Sequence, residues 1–155
     1  MDSASVSVKV AKEIFRAYDI RGIVDENLTE EVVFHIGKAL GTRALQNNET
    51  KFVVGRDGRL SGPKLLSALI AGLSSTGINV VNIGQTATPL LYFATHHLKI
   101  SSGIMLTGSH NPVNYNGLKI VLDGKAIYGD EILSINDQIV SQNYITAETQ
   151  GEVIE

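Results

Sequence analysis

The sequence predicts an α/β fold: a three-layer domain with a four-stranded mixed sheet, mostly parallel with one antiparallel edge strand, and helices on both faces. Three observations predict it. Short apolar runs alternate with segments whose apolar residues recur at helical spacing. Most connections are long enough for right-handed helical crossovers between parallel strands, which bury a sheet on both sides. One connection, about 107–117, has no helical pattern and is too short for a crossover, so the strand after it is antiparallel and sits at an edge.

The elements follow in order. Residues 15–24 mix apolar side chains, charges and a glycine and read as an extended lead-in. Thr29 is a helix N-cap, and Glu30 and Glu31 suit the positive end of the helix dipole. Val33, Ile36, Leu40 and Ala44 then predict an amphipathic helix over 30–45, ended by Asn47 and Asn48. A strand over 51–55 leads to a charged loop at 56–60. Ser61 is placed to cap a second helix, Pro63 is tolerated in its first turn, and Gly77 stops it. A strand follows at 79–83. Thr88 and Pro89, a cap followed by proline at the first helical position, predict a helix over 89–98. Strands are predicted at 103–106 and 118–122, with Asn116-Gly117 as a turn signal before the second. Ile132, Ile135 and Ile139 mark a last helix over 130–140. From Ser141 the chain turns polar, and its final residues, Gly151 to Glu155, have the pattern of another strand.

Composition narrows the function classes. A chain of 155 residues fits one domain and can bury a core without staples. The net charge of −3 argues against a nucleic-acid binder that works through a broad basic surface. With no cysteine, the chain has no disulfide framework, thiol nucleophile or cysteine zinc site. No apolar run approaches the roughly 18 residues needed to span a membrane. Residues 1–12 lack the layout of a signal peptide and read as a flexible leader, which fits a cytoplasmic protein.

The chemistry concentrates in three places. Thr107-Gly108-Ser109-His110-Asn111-Pro112 starts at the carboxyl end of a predicted strand, where ligands sit in open α/β sheets. It brings together a hydroxyl, an imidazole, an amide and backbone N–H groups. The plain alternative is a polar turn whose Ser109 and Asn111 bond local backbone. Gly-x-Ser-x-Gly fails because position 111 is asparagine, and neither a P-loop nor Gly-x-Gly-x-x-Gly occurs. Arg16, Tyr18, Asp19 and Arg21 form a second cluster, and Gly55-Arg56-Asp57-Gly58-Arg59 a third. Guanidiniums bind phosphate through paired donors, so these arginines suit an anionic ligand; surface Arg–Asp pairs are the alternative. Lys119 follows Asn116-Gly117, where a lone lysine is commonly a solvated guard of an edge strand. His96 and His97, late in a helix, are expected to face solvent or the helix C-terminus.

Four stretches together carry a resemblance. They are Phe15 to Gly22 (FRAYDIRG), Val54 to Pro63 (VGRDGRLSGP), Thr107 to Pro112 (TGSHNP) and Tyr115 to Ile120 (YNGLKI). In this order and spacing they resemble the first domain of the α-D-phosphohexomutase family, in its phosphomannomutase/phosphoglucomutase form, over about 15–143. The resemblance implies a domain over 13–143, followed at 144–155 by a linker or the start of a further domain. It implies that Ser109 is phosphorylated and exchanges its phosphoryl group with a hexose phosphate. Phosphate then moves between the 1- and 6-positions of mannose or glucose through a bisphosphorylated sugar. Arg21 and Lys119 match residues beside the phosphoserine that act in charge stabilisation and proton transfer. His110 and Asn111 flank the nucleophile. Tyr18 helps wall the site, and Arg56 and Asp57 are candidates for substrate binding.

The resemblance also implies Mg²⁺, held by the phosphoserine and by closely spaced aspartates that this chain does not contain, and a hexose 1,6-bisphosphate activator. Its other expected partner is the remainder of a longer polypeptide, so the isolated domain is expected to fold and to be inactive. Three other readings stay open on the residues alone. They are a noncatalytic sugar-phosphate module, a serine hydrolase and a purely structural domain.

Overall fold

The computed structural model describes residues 10–87, 94–108 and 111–154. Its strands are β1 (Ile20–Ile23), β2 (Lys51–Arg56), β3 (Asn79–Gln85), β4 (Gly103–Leu106), β5 (Tyr115–Leu122), β6 (Lys125–Ala126) and β7 (Val153–Ile154). Its helices are α1 (Glu30–Gln46), α2 (Gly62–Ser75), a described stretch at 94–98 (α3) and α4 (Asp130–Ser141). The strand order is β1-β5-β4-β2-β3-β7, with β6 also paired to β5.

The sheet therefore has seven strands, not four. The four predicted strands form its centre; β7 falls in the strand pattern at the end of the chain, and β1 and β6 were not read from the sequence. The lead-in is itself a strand: β1 pairs antiparallel with β5, Ile20 opposite Leu118 and Ile23 opposite Tyr115. Strand β5 is antiparallel to β4, as the short connection requires, but it is not an edge. Its outer side is taken by β1 over its first half and by β6 over its second. Two- and four-residue strands have too few residues for a readable alternation, so only their pairing reveals them.

Helix α1 starts as its sequence dictates, with Thr29 Oγ1 accepting from Val32 N at 3.1 Å. Ser61 behaves otherwise: it has helical dihedrals and no capping bond. Its hydroxyl instead accepts from Asn116 Nδ2 at 2.9 Å, a tie between the start of α2 and β5. Gly77 ends α2 in the left-handed region, at φ +98. Of the predicted helix over 89–98, residues 94–98 are helical and 89–93 lie outside the described residues.

One face of the sheet carries the main core. Phe52, Val54, Ile104, Leu106, Leu118 and Ile120 meet α1, α2 and α4 there. Helices α1 and α2 approach so closely that a Cβ on Gly37 would lie 2.6 Å from the Leu69 carbonyl oxygen. The other face holds a smaller cluster of Val53, Ile100 and Met105 with Ala94 of α3, so helices cover both faces. Residues 142–152 cross α1 and α2: Ile145 N donates to Thr42 Oγ1 and Ala147 N to the Ser75 carbonyl. They deliver β7 to a parallel pairing with β3, so this stretch packs against the same unit.

Candidate functional site at the carboxyl ends of the parallel strands

The ends of β2 and β4, the start of β5 and the end of β1 meet at one edge of the sheet. Register sets which side chains share a face there. Leu118 and Ile120 point into the main core, so Lys119 between them points to the opposite face, level with Met105. Ile20 is in the main core, so Arg21 also points to that opposite face, level with Gly117. Arg56 is level with Leu106 and lies on the helical side, where its Cδ would be 3.1 Å from a Cβ on Gly62. The sequence-predicted cations thus divide: Arg21 and Lys119 share a face, and Arg56 does not.

Gly117 is required by the close approach of β1. A Cβ there would lie 2.5 Å from the Ile20 carbonyl oxygen and 3.2 Å from that of Thr107. Asn116 and Gly117 are consequently strand residues rather than the turn their sequence suggests. Asn116 is fully buried, its side-chain oxygen accepting from Gly117 N.

Ser109 and His110 lie outside the described residues; their neighbours Gly108 and Asn111 are placed. Asn111 N and Asn111 Nδ2 both donate to the Gly108 carbonyl, at 3.0 and 2.9 Å, which holds the two ends of the serine loop together. Arg21 reaches this loop through Nη1, which donates to Asn111 Oδ1 at 3.4 Å. Its Nη2 donates to both oxygens of the buried Asp19 carboxylate at 3.2 Å. Its Nε is buried without a partner among the described residues. Lys119 is half-buried, and its ammonium has no hydrogen-bond or ion-pair partner among them. Two cations with free donors on one face, beside the serine loop, suit an anion with several oxygens.

The loop after β2 does something different. Asp57 Oδ2 accepts from Thr107 Oγ1 at 2.8 Å and from Gly108 N at 3.1 Å, and Asp57 Oδ1 accepts from Arg59 N at 3.2 Å. Both oxygens of the carboxylate expected to bind substrate are thus already engaged. Arg56 Nη1 donates to the Asp57 carbonyl at 3.2 Å. Arg59 crosses to the serine loop, donating to the carbonyls of Asn111, Pro112 and Tyr115. In sequence Arg59 is only a member of a charged loop; nothing in its neighbours' identities announces this reach.

Tyr18 is 78% exposed and stacks on Tyr128, ring centroids 6.5 Å apart. Among the described residues no hydrogen bond or ring contact ties it to Arg21, Lys119 or Asn111, so it stands beside the cluster rather than in it. His96 and His97 are exposed near the end of α3. Among the described residues no group of three or more His, Asp or Glu could hold a metal ion. Asp19 is committed to Arg21 and Asp57 to loop donors, so these residues do not by themselves fit Mg²⁺. Among the described residues, no helix is long and apolar enough to cross a membrane.

Comparison with known proteins bears on this arrangement. Residues 12–145 match the family described as phosphoglucomutase/phosphomannomutase, alpha/beta/alpha domain I. The chain is 46% identical over 146 residues to a phosphoglucomutase of Neisseria meningitidis serogroup B, covering 94% of this chain and 32% of that protein. It is 49% identical over 126 residues to a phosphomannomutase/phosphoglucomutase of Pseudomonas aeruginosa, covering 81% of this chain and 27% of that protein. The crystal structure of a phosphoglucomutase/phosphomannomutase family protein from Burkholderia thailandensis superposes with a TM-score of 0.88 at 41% identity, over 94% of this chain and 33% of that one. The chain spans about a third of the length of the curated relatives it matches. It belongs to the phosphoglucomutase/phosphomannomutase family, matching that family's α/β/α domain I.

Proposed function

We propose that this chain is the phosphoryl-carrying domain of a phosphohexomutase, with Ser109 as the carrier. In this reading the phosphoserine O–P bond breaks as a free hydroxyl of a hexose monophosphate forms a new bond to that phosphorus. The hydroxyl proton leaves to a neighbouring base, and the departing Ser109 oxygen takes up a proton. The bisphosphorylated sugar then returns its other phosphoryl group to Ser109, so that phosphate has moved between positions 1 and 6. Mannose and glucose phosphates are both substrates of this reaction class.

One observation carries the reading. Among the described residues, Arg21 donates to Asn111, two positions from Ser109 in sequence, and keeps a buried Nε without a partner, while the Lys119 ammonium on the same face also has none. Phosphoryl transfer asks chiefly for placement and for cations around the phosphoryl oxygens, with little covalent help from the protein. Arg21 is assigned to charge stabilisation and Lys119 to charge stabilisation and proton transfer. His110 and Asn111 flank the carrier. Tyr18, exposed in the bend before β1, is assigned to walling the sugar.

The activity of a whole enzyme, its Mg²⁺ requirement and its bisphosphate activator belong to the same proposal, with the metal's other ligands supplied from beyond the described residues. The chain by itself is expected to accept phosphate without completing isomerisation, because a sugar held at one end is misplaced, and about 1 Å of misplacement can cost ~10²-fold in rate. The test is intact-mass analysis and peptide mapping after incubation with glucose 1,6-bisphosphate. One phosphate on Ser109, lost in Ser109→Ala, is the expected result. Equal labelling of Ser109→Ala, or bisphosphate binding with no transfer, would replace this reading with that of a noncatalytic anion-binding module.

A further inference from the structure

We propose that Arg59, seated by Asp57, is a positioning residue that latches the serine loop in place. The guanidinium is planar, with donors fixed in a fork. Arg59 Nη2 donates to the Asn111 carbonyl at 2.8 Å. Arg59 Nη1 donates to the Pro112 carbonyl at 2.6 Å and the Tyr115 carbonyl at 3.2 Å. Its Nε is 3.8 Å from Asp57 Oδ2, and the side chain is only 15% exposed. The same Asp57 oxygen accepts from Thr107 and Gly108 on the incoming side of the loop. Asp57 thus holds the loop's entry and Arg59 its exit, and the two side chains come from a single loop after β2.

Gly108 fits this assignment. A Cβ at Gly108 would overlap the Arg59 guanidinium, so the guanidinium lies directly against bare backbone. A side chain there would displace the guanidinium from this seat. An anion-binding arginine keeps donors for its ligand; Arg59 directs them at main-chain carbonyls of a loop more than fifty positions away. Lysine cannot substitute, since a compact ammonium cannot span the carbonyls of Asn111, Pro112 and Tyr115 at once. The consequence for catalysis rests on the reading of Ser109 as the carrier; the latch itself does not.

The test has two independent readouts on this chain. The first is amide hydrogen exchange in the peptide covering 107–115, where Gly108, Asn111 and Tyr115 N–H groups are bonded. Arg59→Ala and Arg59→Lys are both expected to speed exchange there by ~10-fold or more, with α1 unchanged. The second is the rate of Ser109 phosphorylation by glucose 1,6-bisphosphate. It is expected to fall ~10²-fold in both variants, with little change in the bisphosphate concentration needed for half-saturation. Gly108→Ala should act likewise, and adding Arg59→Ala to it should cause no further loss. Unchanged loop exchange in Arg59→Ala overturns the latch. A rise in the half-saturating concentration with unchanged exchange would make Arg59 a phosphate-binding group instead. If the unaltered chain takes no phosphate on Ser109, the proposed function fails while exchange alone still decides the latch.

Discussion

Arg21 approaches the serine loop from β1 and Arg59 from the loop after β2, and they are held in opposite ways. Arg59 is 15% exposed and turns its donors toward carbonyls of the loop backbone. Arg21 is 34% exposed, leans on one carboxylate, makes a single long bond to Asn111 and has an Nε without a partner among the described residues. A guanidinium turned toward main-chain oxygens builds a loop; one with few protein acceptors leaves room for ligand oxygens. The residue type is identical, and only its partners separate the two roles.

The sharpest way to break that comparison is to change Arg21 without removing its charge. Arg21→Lys keeps a cation beside Asp19 but loses the planar fork. It is expected to slow Ser109 phosphorylation by ~10²-fold, the scale of removing one preorganised donor to a transition-state oxygen. Loop exchange at 107–115 should not change, in contrast to Arg59→Lys. Should Arg21→Lys loosen the loop as much as Arg59→Lys does, the two arginines share one role and the distinction falls.

A smaller effect is expected where β1 meets β5. Gly117→Ala would push a methyl to within 2.5 Å of the Ile20 carbonyl and 3.4 Å of the Arg21 Cα. Overpacking of this kind costs about 1–3 kcal/mol, measurable as a lower urea midpoint. Because β1 carries Arg21, phosphorylation should fall as well, while the Arg59 latch on the far side of β5 stays intact by exchange. A variant as stable as the parent would mean that β1 is free to move, and that Arg21 is not held by register.

The smallest effect concerns a pair outside the site and serves as a control. His35 Nδ1 and the Tyr144 hydroxyl lie 2.9 Å apart on the α1 surface. Burial, reinforced by Lys38, holds the His35 imidazole below its ordinary value, and burial pushes the Tyr144 hydroxyl up to about 12. For His35 the folded value lies below the unfolded 6.5, so its contribution is present above 6.5 and declines as pH falls below it. For Tyr144 the contribution is present below 10.0 and declines as pH rises toward about 12. Urea midpoints across pH should show both declines. His35→Gln should remove the acid one while leaving Ser109 phosphorylation untouched. An acid decline that survives the substitution would point to another group.

The legibility of the chain follows the length of its elements. Helix α1 and strand β4 could be read almost to the residue, because long periodic runs and a threonine cap are local features. The pairings of β1, β6 and β7 could not, because a strand of two to four residues is defined by its neighbour across the sheet. Ser61 and Asn116 show the same limit. Each looks like a local cap or turn residue, yet they bond to each other across 55 positions.

At the site the division runs through single side chains. By itself the sequence determined the family, through four motifs in order, and it supplied the residue types found beside Gly108 and Asn111: arginines, an asparagine and glycines. Only the tertiary structure decided which cation faces the loop with donors free, which is bound into it, and that Arg56 lies on the other side of the sheet. The physical reason is that a guanidinium's role depends on the acceptors within about 3 Å of its donors, and here those acceptors come from strands and loops fifty to ninety residues away.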